Sequence, residues 1–374
     1  MAPRNRTRLA SFGLRLSLVL GGLAVGLLLA EGLARLLGPP LPGFVLDATL
    51  TVYEPRLYTR HPTRITTLSP HVDVTIQAIE YATRVRTDRL GLRGAPPDHG
   101  DLRIAFIGDS FTLGVQVPED QTFAEQIAAR LSRATQRDTV ALNAGVDGYG
   151  VLQSVDRLEE LLRATRLTHA VLTVYMGNDL RDDTRLDERR AAMDQPPSPE
   201  AEAMLDPLDT MRRKSSWARR SRLYAWIQVV RAVRARSTDF RIQEYADELA
   251  VFVDPAARDA QLPATARGLD RFGQVCHTHQ LRCTVALAPP AWVVDPSRRS
   301  ATLGAFDLPV DGADPESVAR ALTAAAPANL TVVDLSAELR SARASQPLYL
   351  TFDPHWNAAG HSVTADILTR EARW

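Results

Sequence analysis

Four short segments of this sequence carry groups able to act on an acyl bond. GDSF (108–111) holds Ser110, NAGVDGYG (143–150) is nearly bare of side chains around Gly145, GND (177–179) holds Asn178, and DPHWNAAGH (353–361) holds Asp353 and His355. A serine hydroxyl is a poor nucleophile until a base takes its proton, and an imidazole with a pKa near neutrality does this best. His355 is the candidate base, and Asp353 the carboxylate that orients the ring and stabilises the imidazolium. The tetrahedral intermediate needs donors at its oxyanion, for which the backbone N–H groups of Ser110 and Gly145 and the side-chain amide of Asn178 are the candidates. The glycine loop is expected to be bare so that the Gly145 N–H can approach a reacting carbonyl and substrate can fill the space.

Singly, each motif is weak: a serine after a strand is more often a helix cap, and glycines usually just turn the chain. What gives them weight is their placement at successive strand ends. LRIAFIG (102–108) is an apolar run without polar alternation, as in a strand buried on both faces. TFAEQIAARLSRA (122–134) follows with helical spacing and a capping box of Thr122 and Glu125. Strands over 139–145, 169–177, 281–290 and 330–335 alternate with helices over 151–165, 264–280, 317–326 and 358–372. This rhythm predicts a parallel sheet with helices on both faces, an arrangement that binds ligands beyond the carboxyl ends of its strands. The rhythm is lost over about 181–257, which reads as a helical insertion with a basic amphipathic stretch (MRRKSSWARRSRLYAWIQVVRAVRARS). That stretch is either a solvated helix face or a surface for anionic lipid or polymer.

In this order, IGDSFTLG, NAGVDGYG, GND and DPHWNAAGH resemble the four sequence blocks of the SGNH hydrolases, also called GDSL esterases and lipases. The resemblance runs from Leu102 to the C-terminus, excluding the insertion. It implies a three-layer α/β/α sandwich of flavodoxin-like character, with Ser110 as nucleophile, Gly145 and Asn178 as oxyanion donors and His355 as base. Phe111 stands where the family name has Leu, a conservative change. The usual acid lies three residues before the histidine, where this chain has Phe352, whereas Asp353 is two before it. The Asp-x-His-Trp spacing resembles that of membrane-anchored or periplasmic members, including alginate O-acetylation-type proteins.

The other segments concern location. Leu16 to Ala30 carries no charge, basic residues precede it, and Arg15 and Arg35 flank a stretch approaching the ~20 residues that span a bilayer. Residues 1–38 therefore read as a cytoplasmic tail and signal anchor rather than a cleaved signal peptide or a buried core helix. Residues 39–100 read as an extended linker or small β region, and 101–374 as the hydrolase domain. By the resemblance, the protein is expected in a bacterial inner membrane, single-pass, with the catalytic domain periplasmic or extracellular. Cys276 and Cys283 are either a disulfide suited to that compartment or two unrelated thiols. His277 and His279 beside them match no common zinc spacing, so neither metal nor cofactor is expected.

The 374 residues carry 44 basic and 44 acidic side chains, which gives no electrostatic support for a nucleic-acid partner. The glycine loops lack a GxGxxG or Walker pattern, which argues against nucleotide binding. The leading expectation is an extracytoplasmic serine esterase acting on an acylated glycan or lipid. An O-acyltransferase acting on a cell-surface polysaccharide would use the same residues. A non-catalytic glycan-binding or assembly protein on this fold is the third class.

Overall fold

The computed structural model describes residues 4–37, 54–78, 80–193, 221–224, 227, 240–304, 306–351 and 353–374. Five strands, β5 (Leu102–Ile107), β6 (Thr139–Asn143), β7 (His169–Tyr175), β8 (Arg282–Ala288) and β9 (Thr331–Asp334), form one parallel sheet in the order β6-β5-β7-β8-β9. The expected α/β sandwich is thus the observed architecture. β5 is buried along its whole length. Its side chains alternate between two cores: Ala105 and Ile107 face one, Ile104 and Phe106 the other. A strand feeding two cores must be apolar throughout, which is why LRIAFIG shows no polar alternation.

Helices α4 (Val151–Ala164), α7 (Pro255–Thr278) and α8 (Ser317–Ala325) supply the first core through Val155, Leu158, Phe272 and Leu322. Helices α3 (Phe123–Thr135) and α9 (Ala358–Glu371) supply the second through Phe123, Ile127, Ala365 and Leu368. The α3 capping box is only half formed. Thr122 Oγ1 accepts from Glu125 N–H, but the Thr122 N–H is bound to Glu119 O by the preceding 3₁₀ turn, so Glu125 has no donor to reach back to. α7 starts nine residues before the expected 264, at a Pro255 whose missing N–H costs nothing in the first turn, and it runs through Pro263. At its other end Cys276 and Cys283 form a disulfide, with Cα atoms 6.2 Å apart, joining α7 to the start of β8.

Ahead of the sheet lie two antiparallel ribbons, β1 (Tyr58–His61) with β2 (Ile65–Leu68) and β3 (Asp73–Gln77) with β4 (Ala82–Arg86). Leu57, Leu68, Val74, Ile76 and Val85 from this region share a third core with Leu113, Val115, Val146 and Tyr149. Those four partners sit on the loops that follow Ser110 and Gly145, so the ribbons brace the site from outside.

The N-terminal helix α1 (Arg4–Leu37) contains a 22-residue apolar span, Arg15–Leu36, with mean hydropathy 2.0 and none of it buried. By length and composition it is able to cross a membrane. Of the basic stretch at 211–237, all but Ser221–Tyr224 and Ile227 lies outside the described residues, as does Phe352. Glu31 near the end of α1 accepts from Ser221 Oγ and from the backbone N–H groups of Arg222 and Leu223.

Candidate active site

The carboxyl end of β5 turns sharply into α2 (Ser110–Leu113), a single helical turn with Asp109 as its cap. Gly108 makes the turn with φ +148°, and a Cβ there would lie 2.4 Å from Thr112 Oγ1 and 2.8 Å from Thr173 O. Asp109 Oδ1 accepts from Phe111 N–H, while complete burial pushes this carboxyl up to about 7. Ser110, half-buried, thereby presents its hydroxyl beyond the strand end.

The loop before α9 brings His355 to that hydroxyl. His355 Nε2 lies 2.6 Å from Ser110 Oγ, and Nδ1 lies 2.5 Å from Asp353 Oδ1, which also accepts the His355 backbone N–H at 2.9 Å. An ionised carboxylate only accepts, so Nδ1 carries the ring proton and Nε2 keeps its lone pair for the serine. Burial raises the Asp353 pKa, but the interaction with the His355 ring and the hydrogen bonds from His355 and Tyr81 prevail and hold it below the usual carboxylate range. Asp353 therefore stays anionic beside the ring. The other histidine of this block, His361, is not brought to the serine. It stacks on Phe123, accepts that residue's N–H, and burial pushes it down to about 3, so it stays neutral.

Gly145 and Asn178 lie on the loops after β6 and β7. Here the reading of the bare loop needs correction: residues 142–146 are buried, and the vacant space at Gly145 is filled by protein. A Cβ on Gly145 would meet Leu113 N at 2.3 Å and Thr112 C at 2.8 Å, so the missing side chain admits the backbone of the turn that carries Ser110, not substrate. Asn143 ties the two together, its Nδ2 donating to Thr112 O and its Oδ1 accepting from Gly145 N–H at 3.2 Å. That last bond is long, and an oxyanion is a stronger acceptor than an amide oxygen. Asn178 caps α5 (Asp179–Thr184), but its Nδ2 donates to Asp182 Oδ2 at 3.0 Å and its Oδ1 is buried without a partner among the described residues. Such an orphaned acceptor costs about 1–3 kcal/mol.

Phe111 has more consequence than a conservative change. Its ring stacks on Tyr175 at 4.3 Å and lies 4.8 Å from the centroids of both His355 and Trp356. It is an aromatic wall beside the imidazole.

Several contributors went unread in the sequence. Glu80, at the turn joining β3 to β4, accepts the backbone N–H groups of Thr351 and Asp353, and Tyr81 donates its hydroxyl hydrogen to Asp353 Oδ2 at 3.3 Å. Arg93, 2% exposed, donates to the carbonyls of Leu113 and Val117 and so closes the far end of the turn that carries Ser110. A hairpin-turn glutamate reads as solvated.

The arrangement has the parts for acyl transfer: a hydroxyl, a base with its lone pair aimed at that hydroxyl, an anion behind the base, and two further loops bearing N–H groups. A model of the GDSL-like lipase/acylhydrolase family matches residues 106–363. No curated protein matches the sequence. Similar solved structures include the psychrotrophic esterase EstA from Pseudoalteromonas sp., 11% identical, covering 72% of this chain and 96% of that one with a TM-score of 0.36. An acetylxylan esterase from Geobacillus stearothermophilus is 14% identical over 73% of this chain and 95% of that one, TM-score 0.37. A carbohydrate acetylesterase family member from Sinorhizobium meliloti is 10% identical over 72% and 95%, TM-score 0.36. At these values the likenesses carry no inference about substrate.

Proposed function

This chain belongs to the GDSL-like lipase/acylhydrolase family and is a hydrolase of ester bonds, and from that premise we propose that it is an extracytoplasmic serine esterase that deacylates a glycan or lipid through an acyl-enzyme on Ser110. The observation that carries this reading is the unbroken run Ser110 Oγ, His355 Nε2, His355 Nδ1, Asp353 Oδ1, with separations of 2.6 and 2.5 Å. His355 takes the hydroxyl proton as Oγ attacks the ester carbon, and Asp353 stabilises the resulting imidazolium. The carbonyl oxygen becomes an oxyanion, met by the N–H groups of Ser110 and Gly145 and by Asn178 Nδ2. The imidazolium then protonates the departing alkoxide. Water enters, gives its proton to His355, and attacks the acyl carbon; return of that proton to Oγ releases the acid.

The N-terminal helix supports membrane anchoring. The exposed apolar face of α1 extends all round the helix, as lipid contact requires, with Leu18 68% and Leu28 73% exposed. Glu31 in the same helix holds Ser221, Arg222 and Leu223.

Ser110→Ala is expected to abolish turnover of p-nitrophenyl esters and labelling by a fluorophosphonate, with an unchanged circular-dichroism spectrum. Equal labelling of variant and parent would remove Ser110 from the reaction. Running the same esters with and without oligosaccharide acceptors separates hydrolysis from transfer.

A further inference from the structure

Asparagine is among the best helix N-caps because its side-chain oxygen accepts an otherwise unpaired N–H of the first turn. Asn178 occupies that position on α5 and makes no such bond. Its carboxamide is turned instead toward Asp182, one helical turn along, with Nδ2 donating to Oδ2 at 3.0 Å. A carboxylate cannot donate, so the nitrogen must face Asp182 and the amide has one orientation. One Nδ2 hydrogen satisfies Asp182, and the second has no acceptor among the described residues.

Asp182 is itself held from its other oxygen. Oδ1 accepts from Arg181 Nε at 3.2 Å and Nη2 at 2.9 Å, and Arg189 stands 3.6 Å away. Arg181 in turn donates from Nη1 to Glu248 Oε1 at 2.6 Å, on α6 (Phe240–Val253). The Arg181 and Asp182 side chains are 9% and 6% exposed and Glu248 12%, so solvent screens this run weakly.

We propose that Asp182 is the positioning residue that orients the Asn178 amide for the oxyanion, and that Glu248, through Arg181, ties that donor to the helix closing the insertion. The proposal rests on Asn178 being an oxyanion donor. With the Asp182 charge removed, the flipped amide, which would turn Oδ1 into the site, becomes accessible and the donor is present only part of the time.

Losing one oxyanion donor outright costs ~10²–10³ in kcat, so Asp182→Asn should lower kcat by about tenfold per folded molecule with KM little changed. Glu248→Gln should lower it about two- to threefold in the same way. A merely structural role would not confine the loss to kcat, nor make it depend on Asn178. In the Asn178→Ala background the Asp182→Asn and Glu248→Gln losses should therefore vanish, because no amide remains to orient. Parental kcat in Asp182→Asn, or an equal loss in the Asn178→Ala background, overturns the proposal. If Asp182→Asn does not fold, Glu248→Gln decides by the same two criteria. Parental kcat in Asn178→Ala alone overturns the oxyanion reading instead, which keeps the two failures distinct.

Discussion

The imidazole of His355 can accept the Ser110 proton in only one of its two neutral tautomers, and the Asp353 carboxylate 2.5 Å from Nδ1 selects it. An amide at position 353 can present its nitrogen to Nδ1 and stabilise the wrong tautomer. Asp353→Asn is expected to lower the acylation rate by ~10⁴, as in triads of this kind. Tyr81→Phe removes one 3.3 Å hydrogen bond to the same carboxylate, leaves the tautomer fixed, and should cost less than about tenfold. Stopped-flow measurement of p-nitrophenol release checks both, and a small loss in Asp353→Asn would mean another acceptor orients the ring. The contrast also marks how far the site was legible. Residues named by reactivity, Ser110, His355 and Asp353, could be picked from short motifs and are found in hydrogen-bond contact. Residues named by support could not, since Glu80 and Tyr81 lie some 270 positions away and nothing in an isolated hairpin says what it packs against.

At the scale of elements, α4 begins after Gly150, which has no side chain to cap it. The carboxylate of Asp183 in α5 does so from outside, Oδ1 accepting Leu152 N–H at 2.9 Å, with Oδ2 accepting from Thr265 Oγ1 at 2.8 Å. Burial pushes this carboxyl up to about 7. An acid whose folded-state pKa is raised favours folding below its unfolded value near 4 and loses that contribution as pH rises toward 7. Asp183→Asn keeps an acceptor for Leu152 without the ionisation. Relative to the parent, its stability in urea should therefore improve between pH 4 and pH 7, on the order of a few kcal/mol. A constant difference across that range would show that Asp183 does not titrate there. Helices with a strong period, such as α3 and α4, were readable because burial on a fixed face imposes that period, and β5 was readable as an unbroken apolar run because both of its faces are buried. The early start of α7 was not: Pro255 and Pro263 signal interruption locally, and packing against α4 and α5 overrides them.

At the scale of the molecule, the two-sided sheet was legible because each buried strand needs an apolar run and each crossover a helix. The ribbons over 58–86 were less so, since short Thr-rich strands acquire their meaning only against Leu113, Val115, Val146 and Tyr149. Location makes its own prediction. Alkaline phosphatase fused after Ala95 should be active in a bacterial host, and the full chain from that host should show no maleimide-reactive thiol, because Cys276 and Cys283 pair in an oxidising compartment. An inactive fusion together with two free thiols would place the domain on the other side of the membrane.

The contact at Gly145 bears on how such a protein can diversify. Where Gly145 meets Thr112 and Leu113 there is no room for a single methyl group, so mutation cannot widen or shift the spacing between the Ser110 turn and the Gly145 loop in small steps. Variation that survives selection is channelled to parts that approach the reacting groups without building them: the β3–β4 turn at Glu80 and Tyr81, the ring at Phe111, and the insertion. Lineages descending from this sequence would be expected to differ in those walls, and to change what they bind while the chemistry stays fixed.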